Sequence, residues 1–379
     1  MRVVVAIDSF KGSLSSLQAG NAVREAVLKV NKENDVIVCP LADGGEGSVD
    51  ALASGLNGNL VEVNVTGPNY KQVTAEYCIL ENNTAVIEMA AAAGLTLLSA
   101  EERNPMNTTT YGVGEIIKDA VSRGCRHFIV GIGGSATNDG GIGMLTALGF
   151  DFLDIDGNKV PLCAKGLEYL HTITTENALP ELKYCTFRVA CDVDNPLCGE
   201  FGCSKIFAPQ KGATKEDITK MDEWLKKYAS ITQKISLKAD MNCPGAGAAG
   251  GLGFAFLSFL NASLESGVKI IIEETRLEEY IKTADIVVTG EGRLDSQTVM
   301  GKAPIGVAGL AKKYGKKVIA FAGCVSEDAE ICNEHGIDAY FPILRKVGTL
   351  EEALNAENAY DNLKAAVYQV FRLIDSKKY

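Results

Sequence analysis

The sequence predicts an α/β protein in which a parallel, Rossmann-like three-layer domain carries an inserted second domain of mixed α/β type. Short apolar runs of strand type alternate with helix-like segments at the start of the chain, and this alternation returns near its end. In the middle of the chain, hairpin patterns replace this alternation. Alternating strands and helices imply right-handed crossovers and a parallel sheet, whereas hairpins imply antiparallel pairing, so we expect two domains of different construction.

The first elements follow from the spacing of the apolar residues. An apolar run at residues 2–7 predicts a strand, and apolar positions at helical spacing over 16–30 predict a helix capped by Ser15 or Ser16. The same reasoning predicts strands at 35–40 and 60–65, with a helix at 45–56 between them. Gly67 and Pro68 then form a strong turn, which we take as the end of the first outer segment.

Two hairpins are predicted in the middle of the chain. One spans residues 71–89 and turns at Asn82 and Asn83, and the other spans 150–160 and turns at Asp156 and Gly157. The glycine-rich run at 245–260 is shorter than the roughly 18 apolar residues of a membrane span, so it predicts a buried loop leading into a core helix. We therefore expect residues 67–282 to form the inserted domain.

The alternation resumes in the last part of the chain. It predicts strands at 285–289, 317–322 and 339–343, helices around 304–314 and 328–335, and a final amphipathic helix over 350–376 that starts after Thr349. The outer domain would therefore contain residues 1–66 and 283–379. A cleft between two such domains is the natural place for an active site.

The composition of the chain argues against some classes of binding partner. The 379 residues carry a formal net charge of −11 at pH 7, which argues against a nucleic-acid or membrane-surface partner. The 11 cysteines are odd in number, and many lie in apolar runs, where a free thiol behaves as a small hydrophobe. No apolar targeting segment follows Met1, so we expect a cytoplasmic protein with reduced cysteines.

The most informative functional signal is that several predicted strands end on a carboxylate beside glycine or proline. The first strand leads into Asp8 and Lys11, and the second leads into Asp43 and Glu46 within a glycine-rich turn. Ligands of open α/β sheets bind outside the carboxyl ends of the strands. Glycines let backbone N–H groups approach an anion, and carboxylates hold a divalent cation or accept a proton. The combination indicates phosphoryl transfer, with Asp43 as a candidate metal ligand.

Residues 131–136 permit two interpretations. They fit the dinucleotide fingerprint G-x-G-x-x-A, and Asp151 lies at about the expected distance. However, Asp151 begins a predicted hairpin instead of ending a second strand, so an NAD-linked reductase of small hydroxy acids is the weaker alternative. The N–H groups of residues 133–137, which precede a helix, are a candidate cradle for nucleotide phosphates.

Two further strand ends carry candidate catalytic acids. Asp192 and Asp194 precede Pro196, and this proline is incompatible with a calcium loop. The densest polar cluster runs from residue 290 to 302, where cationic side chains suit anion binding and Asp295 is a candidate base or magnesium ligand. A surface salt-bridge cluster is the alternative interpretation. No G-x-x-x-x-G-K-[ST] motif is present, and the three histidines show no triad or metal pattern.

Taken together, these motifs resemble the bacterial type I glycerate kinase family. The resemblance extends in order over nearly the whole chain and is carried by residues 8–12, 41–47, 133–141, 191–197, 209–213, 247–253 and 290–295. It implies ATP- and magnesium-dependent phosphorylation of D-glycerate to 2-phosphoglycerate on a two-domain α/β fold with an inserted domain. Ser48 stands where the family usually has threonine, a change that keeps the hydroxyl.

Within a kinase, each candidate residue receives a hypothetical role. Catalytic roles are assigned to Asp192, Asp295 and Lys11, with either aspartate accepting the hydroxyl proton. Glycerate binding is assigned to Asp8, Lys11, Arg293 and Lys302; ATP binding to Gly133, Gly134, Ser135, Thr137, Asn138, Gly290, Glu291 and Gly292; and Mg²⁺ binding to Asp43, Asp192 and Asp295. We expect a monomer or homodimer. A non-catalytic sugar-acid sensor is a third hypothesis.

Overall fold

The computed structural model describes residues 1–42 and 47–376. Its contacts divide the chain into two compact units. Unit 1 comprises residues 1–43, 50–57 and 268–379, and unit 2 comprises residues 44–49 and 58–267. The domain limits inferred from the sequence, 1–66 with 283–379 and 67–282, stay a prediction, as does the expected site in an interdomain cleft.

The described residues form thirteen strands and fifteen α-helices. The strands are β1 Arg2–Val5, β2 Asp35–Val38, β3 Asn59–Thr66, β4 Gln72–Ile79, β5 Thr84–Glu88, β6 His127–Gly131, β7 Asp151–Leu153, β8 Thr172–Thr174, β9 Thr186–Ala190, β10 Ala262–Glu265, β11 Ile286–Leu294, β12 Lys317–Val325 and β13 Ala339–Pro342. The helices are α1 Ser16–Val30, α2 Ser48–Gly55, α3 Ala90–Ala93, α4 Tyr111–Ser122, α5 Ile142–Ala147, α6 Gly166–Tyr169, α7 Cys203–Phe207, α8 Lys215–Thr232, α9 Ala248–Phe259, α10 Gly267–Glu274, α11 Leu277–Thr283, α12 Ala303–Lys313, α13 Ile331–Glu334, α14 Leu350–Leu354 and α15 Ala356–Asp375.

Unit 1 is built on a five-stranded parallel sheet in the order β13-β12-β11-β1-β2. The valines of β1 are completely buried, as expected for a parallel strand that is covered on both faces. Apolar side chains of α1 and α15 share a core with this sheet. The chain adds β2 on one side of β1 and β11 on the other, so the strand order reverses at the β1–β11 pair. Such a switch point opens a crevice at the carboxyl ends of the two strands.

Ser15 and Ser16 both act at the start of α1, but in different ways. Ser15, one of the two cap candidates named from the sequence, is the N-cap and forms a capping box with Gln18. Ser16 is buried; its hydroxyl donates to the Ile7 carbonyl at 2.6 Å and accepts from the Leu41 N–H at 2.7 Å. One side chain thus ties the segment after β1 to the segment after β2, where predicted site residues begin.

The last predicted helix is interrupted. The structure has α14 and α15 in place of one helix over 350–376, because Asn355 takes an extended conformation and caps the second helix through its side chain. A residue that serves as both C-cap and N-cap separates two helices that share one amphipathic pattern. The periodicity therefore predicted the helical content but not the break.

Unit 2 contains a six-stranded mixed sheet in the order β10-β9-β6-β5-β4-β3. The first four strands are parallel, and β4 pairs antiparallel with both β5 and β3. The predicted hairpin with a turn at Asn83 is confirmed, and this residue has φ 57°. Strand β3 pairs with β4 in this sheet, whereas its residues were predicted to belong to the outer domain.

The second predicted hairpin is only partly present. A turn with Gly157 at φ +83° brings the Val160 N–H within 3.0 Å of the Phe152 carbonyl. The strand β7, however, pairs antiparallel with β8, about twenty residues later in the chain, as a separate two-stranded sheet. Local turn chemistry predicted the reversal but not the partner strand.

The glycine-rich segment before α9 is buried, as predicted. Ala249, Gly250 and Gly251 have left-handed backbone conformations at the start of the helix, with φ 52°, 67° and 94°. A Cβ on Gly250 would lie 2.2 Å from the Thr137 carbonyl oxygen, so a larger residue would displace this loop. All 11 cysteines are free thiols, and no described helix is long and apolar enough to cross a membrane.

Candidate active site

The switch point in unit 1 brings together residues that lie almost three hundred positions apart in sequence. The backbone N–H of Asp8, just beyond β1, donates to the carbonyl of Gly290 in β11 at 2.9 Å. Asp8 is 5% exposed, and its carboxylate accepts a 2.6 Å hydrogen bond from the N–H of Ser9. A Cβ atom added to Gly292 would lie 3.6 Å from the backbone nitrogen of Lys11. Lys11 therefore lies beside the end of β11.

Two glycines allow the backbones of β11 and β12 to approach each other closely. A Cβ on Gly290 would lie 1.9 Å from the carbonyl oxygen of Phe321 in β12. Gly323 has the same constraint, because its Cβ would lie 2.5 Å from the carbonyl oxygen of Gly292. Glycine is thus required for packing of the strand ends, and this requirement holds whether or not a nucleotide contacts Gly290 or Gly292.

The end of β11 carries a connected polar cluster of carboxylates and a lysine. Glu291 is buried, and its Oε1 accepts a 2.7 Å hydrogen bond from the Thr298 hydroxyl. Lys302 Nζ lies 3.7 Å from Glu291 Oε2 and 3.9 Å from Asp295 Oδ1. Burial raises the pKa of Glu291, while the Thr298 hydroxyl and the positive charge of Lys302 act in the opposite direction. One lysine thus faces two carboxylates at the carboxyl end of a central strand.

Arg293 extends this cluster towards solvent. Its Nε lies 3.2 Å from Asp295 Oδ2, with 64% of the arginine side chain and 14% of the aspartate side chain exposed. A short turn fixes the aspartate, because the N–H of Gln297 donates to Asp295 Oδ1 at 3.0 Å. Arg293 and Lys302, which were grouped with Asp295 from the sequence, therefore both contact this aspartate.

The predicted phosphate loop follows β6 in unit 2. Three of its carbonyl groups accept hydrogen bonds from the rest of the unit: Gly134 from the Leu95 N–H at 2.8 Å, Ala136 from the Thr108 hydroxyl at 2.9 Å and Thr137 from Lys211 Nζ at 2.6 Å. In a trans peptide the N–H of the next residue points away from the carbonyl. The N–H groups of residues 135, 137 and 138 are thus directed away from these partners.

Burial separates the predicted nucleotide-binding residues into two groups. Gly133 and Gly134 are exposed, and Ser135 is 8% exposed. Thr137 and Asn138 are completely buried; the Asn138 amide donates to the Ser204 hydroxyl at 2.9 Å. The exposed glycines are the part of the loop that an anion reaches first, and the buried residues lie beneath them.

The loop geometry does not suit the dinucleotide interpretation. The fingerprint requires a helix that begins within the glycine motif, yet α5 begins at Ile142, after Gly141 as N-cap. Asp151 begins β7, which belongs to the separate two-stranded sheet and not to the parallel sheet of β6. The two features on which the reductase hypothesis depended are therefore placed differently from a nucleotide-binding βαβ unit.

Asp139 has a structural explanation. It is fully buried, and its carboxylate accepts from the Thr110 N–H at 2.9 Å, the Thr110 hydroxyl at 2.8 Å and the N–H groups of Gly141 and Gly143 at 3.1 and 3.3 Å. Burial raises the pKa of this carboxyl, and the hydrogen bonds oppose that rise. Asp139 joins the end of the glycine loop to the start of α4 and α5.

Carboxylates also mark the neighbouring parallel strand ends of unit 2. Asp192, predicted as a base or metal ligand, follows β9, is exposed, and accepts from the Gly267 N–H at 3.2 Å. Glu265 ends β10 and is held by Arg188 in a two-pronged ion pair at 3.0 and 2.9 Å. Glu88 ends β5 directly opposite Gly131 in the register and accepts from the Val49 N–H at 2.9 Å.

The predicted metal site is only partly described. Asp43 and Glu46 lie outside the described residues, while Asp192 belongs to unit 2 and Asp295 to unit 1. Within residues 1–42 and 47–376 no three His, Cys, Asp or Glu side chains converge to hold a metal ion. Mg²⁺ in phosphoryl-transfer sites usually takes one or two carboxylates and completes its shell with phosphates and water. The donor set around Asp295 and Glu291 is compatible with that need.

Three residues received no individual role from the sequence. Glu88 is half-buried at the end of β5, and the register of the strands places it opposite Gly131. Thr298 is buried and was noted only as part of the polar cluster at 290–302; its contact with Glu291 is visible only in the fold. Lys211 was noted only as part of a motif, because nothing in its neighbours predicts that a lysine is 1% exposed. The proline and glycine on either side of it indicated a turn, and turns are usually exposed.

Comparison with known proteins decides the family. The family model described as the glycerate kinase family matches residues 3–375. The chain belongs to this family. The glycerate 2-kinase of Escherichia coli strain K12 is 46% identical over 365 residues, covering 96% of this chain and 95% of that protein. The glycerate kinase of Haemophilus influenzae strain Rd is 44% identical over 378 residues and is covered completely, as is this chain.

A solved structure agrees with this assignment. The crystal structure of a "putative glycerate kinase 2" from Salmonella typhimurium LT2 matches with a TM-score of 0.92 and 42% identity, covering 100% of this chain and 99% of that one. The resemblance inferred from the motifs, the α/β fold class and the prediction of an enzyme, a phosphotransferase of the glycerate kinase family, are thereby confirmed.

Proposed function

We propose that the protein transfers the γ-phosphoryl group of ATP to D-glycerate in a magnesium-dependent reaction that yields 2-phosphoglycerate. The observation that carries this proposal is the cluster at the switch point of unit 1, where Lys302 lies beside Asp295 and the buried Glu291, and Arg293 lies beside Asp295. A glycerate 2-kinase is among the relatives of the chain, and its name specifies the hydroxyl that is phosphorylated.

The cluster in unit 1 supplies what an anionic acceptor requires. Glycerate carries a carboxylate, and the migrating phosphoryl group is also negatively charged, so both need cations in a protein whose formal net charge is −11. We assign Arg293 and Lys11 to the carboxylate, since an arginine can grip it with two parallel hydrogen bonds. Lys302, held by two carboxylates, is assigned to the migrating group.

Asp295 is assigned as the group that accepts the proton of the reacting hydroxyl. It is the more exposed carboxylate of the pair that Lys302 contacts, and the turn at Gln297 fixes its orientation. Asp8 lies at the adjoining strand end and is assigned to a glycerate hydroxyl. Asp192, the other candidate base, is kept as a ligand-binding residue of unit 2, at the strand next to the phosphate loop.

The nucleotide phosphates are assigned to the loop after β6. Gly133 and Gly134 are exposed at its tip, and the bonded carbonyls of residues 134, 136 and 137 direct the following N–H groups away from their partners. When bound, Mg²⁺ would neutralise charge on the phosphates, and Asp192 and Asp43 are the carboxylates proposed to hold it, with Asp295 kept as the base. Positioning and electrostatics are sufficient for phosphoryl transfer, since the protein forms no covalent bond in this scheme.

A coupled assay for ADP tests the proposal. With D-glycerate, ATP and Mg²⁺ we expect ADP release that requires all three. Turnover with a different hydroxy acid but not with D-glycerate would contradict the substrate assignment. The variant Asp295→Asn should lose several powers of ten in rate while it still folds. Asp361→Asn, an exposed aspartate of α15 in the same unit, is the matched control and should keep full activity.

A further inference from the structure

Lys211 is a buried cation at the base of the predicted phosphate loop. The residue is 1% exposed, and its ammonium group donates to the Ser135 hydroxyl at 2.7 Å and to the Thr137 carbonyl at 2.6 Å. It follows the short helix α7 and precedes Gly212, whose φ of +92° allows the chain to turn away at once. Both of these partners belong to the loop that follows β6, so the buried side chain binds that loop from the inside of the protein.

Within residues 1–42 and 47–376, no carboxylate forms a direct ion pair with Lys211. The titratable groups that act on it are Asp139, from the end of the same loop, and Cys203, from α7; neither is among its hydrogen-bond partners. Asp139 is itself engaged by Thr110 and by the start of α5. A buried charge without a paired counter-ion is unfavourable for folding, so its presence calls for another explanation.

The contacts suggest how the lysine affects the surface of the loop. By binding the Thr137 carbonyl, the ammonium group fixes the peptide plane between residues 137 and 138, and by binding the Ser135 hydroxyl it fixes the side chain next to the exposed Gly134. Burial in a medium of low polarity also lets its positive charge act on an anion at the loop with little screening by water.

We propose that Lys211 is a positioning residue that holds the 133–137 loop in the conformation that binds the phosphates of the nucleotide. This inference rests on the proposed function, because it takes that loop as the nucleotide site. Lys211 acts through the loop and need not touch the nucleotide. It should therefore govern nucleotide affinity and leave glycerate affinity unchanged.

The test measures binding of Mg·ATP, without glycerate, to wild-type protein, Lys211→Met and Lys211→Arg by isothermal titration calorimetry. We expect the Kd for Mg·ATP to rise at least tenfold in Lys211→Met and to recover in part in Lys211→Arg, with the Kd for glycerate unchanged in both. Lys205→Met, which alters an exposed lysine of α7, is the matched control and should bind as the wild type does. An unchanged Kd for Mg·ATP in Lys211→Met would overturn the proposal.

A second measurement uses the wild-type protein, so it does not depend on the folding of a variant. Burial lowers the pKa of Lys211 to about 8. If only the charged form holds the loop, the Kd for Mg·ATP should rise about tenfold between pH 7 and pH 9. The same rise in Lys211→Met, where Asp139 and Cys203 remain, would assign the pH dependence to other groups and contradict the proposal.

The two proposals fail in different ways. If Lys211→Met releases ADP from ATP and glycerate with an unchanged KM for ATP, the role of Lys211 is refuted and the kinase function stands. If the wild type binds Mg·ATP in a manner that depends on Lys211 but releases no ADP with glycerate, the kinase function is refuted and the role of Lys211 in nucleotide binding stands.

Discussion

Replacing Lys211 by methionine should have an effect on stability that depends on pH in a predictable direction. Burial lowers the pKa of the lysine from 10.5 to about 8. At about 1.4 kcal/mol per pKa unit, a difference of about 2.5 makes the charged side chain about 3 kcal/mol less favourable in the folded protein than in the unfolded chain. Methionine has a similar volume and no charge, so this penalty is absent in the variant.

The hydrogen bonds of Lys211 act in the other direction. Methionine leaves the Ser135 hydroxyl and the Thr137 carbonyl without their donor, and each buried unsatisfied group costs about 1–3 kcal/mol. The two effects nearly cancel at pH 7, where we expect the variant to lie within about 2 kcal/mol of the wild type. Between pH 7 and pH 10, Lys211 loses its proton in the folded protein but largely keeps it in the unfolded chain. The unfolding free energy of the wild type should therefore rise by about 2 kcal/mol relative to that of the variant.

The fluorescence of the single tryptophan of the chain can report the unfolding of the unit that contains Lys211. Trp224 lies in α8 and packs against the buried group that contains Ala208, three residues before Lys211. Urea unfolding followed by tryptophan fluorescence at pH 7 and pH 10 therefore reports on unit 2. A difference in unfolding free energy that stays constant between the two pH values would refute the account of Lys211 as a buried group with a lowered pKa.

Three further substitutions test individual contacts. Thr298→Val removes the hydroxyl that donates to the buried Glu291 and should lower the unfolding free energy by about 1–3 kcal/mol, whereas Thr298→Ser should not; equal losses would contradict the role of the hydroxyl. Asp139→Asn replaces a carboxylate that accepts four hydrogen bonds and should also lower the unfolding free energy by about 1–3 kcal/mol. A calorimetric melting temperature equal to that of the wild type would contradict the structural role of Asp139. Gly290→Ala places a Cβ 1.9 Å from the Phe321 carbonyl oxygen, so circular dichroism should show misfolding or strong destabilisation; a native melting curve would contradict the packing argument.

Much of the fold follows from local patterns in the sequence. The alternation of apolar runs and amphipathic segments predicted the parallel strands of unit 1, and the pair Ser15 and Ser16 indicated the start of α1. The Asn83 turn predicted the β4–β5 hairpin. These features depend on neighbours in sequence, on backbone propensity and on side-chain periodicity, which are all visible in one chain.

The remaining features depend on contacts between distant residues. The sequence of strand β3 is compatible with membership of either sheet, and its pairing with β4 is decided only when the whole sheet forms. Asn355 interrupts the last helix because its side chain caps α15, although the apolar periodicity continues through it. Capping of this kind competes with helix continuation by a small free energy that a periodic pattern does not reveal.

The candidate site shows the same division. The sequence indicated Arg293, Asp295 and Lys302 as a group, because they lie within ten residues at the end of a strand, and in the structure both cations contact Asp295. It included Thr298 and Lys211 only as members of motifs and gave them no role, because their roles arise from burial beside residues elsewhere in the fold. Burial turns an ordinary hydroxyl or lysine into a group that fixes the geometry of a site, and burial is a property of the folded chain.

The central claim is that the protein moves a phosphoryl group from ATP to the hydroxyl of glycerate, and ³¹P NMR of the reaction mixture tests it most directly. With D-glycerate, ATP and Mg²⁺ we expect the γ-phosphate resonance to decline while a phosphomonoester resonance matching authentic 2-phosphoglycerate grows in equal amount. Growth of inorganic phosphate alone, or a spectrum that does not change while NADH is consumed with a hydroxy-acid partner, would contradict the proposed function.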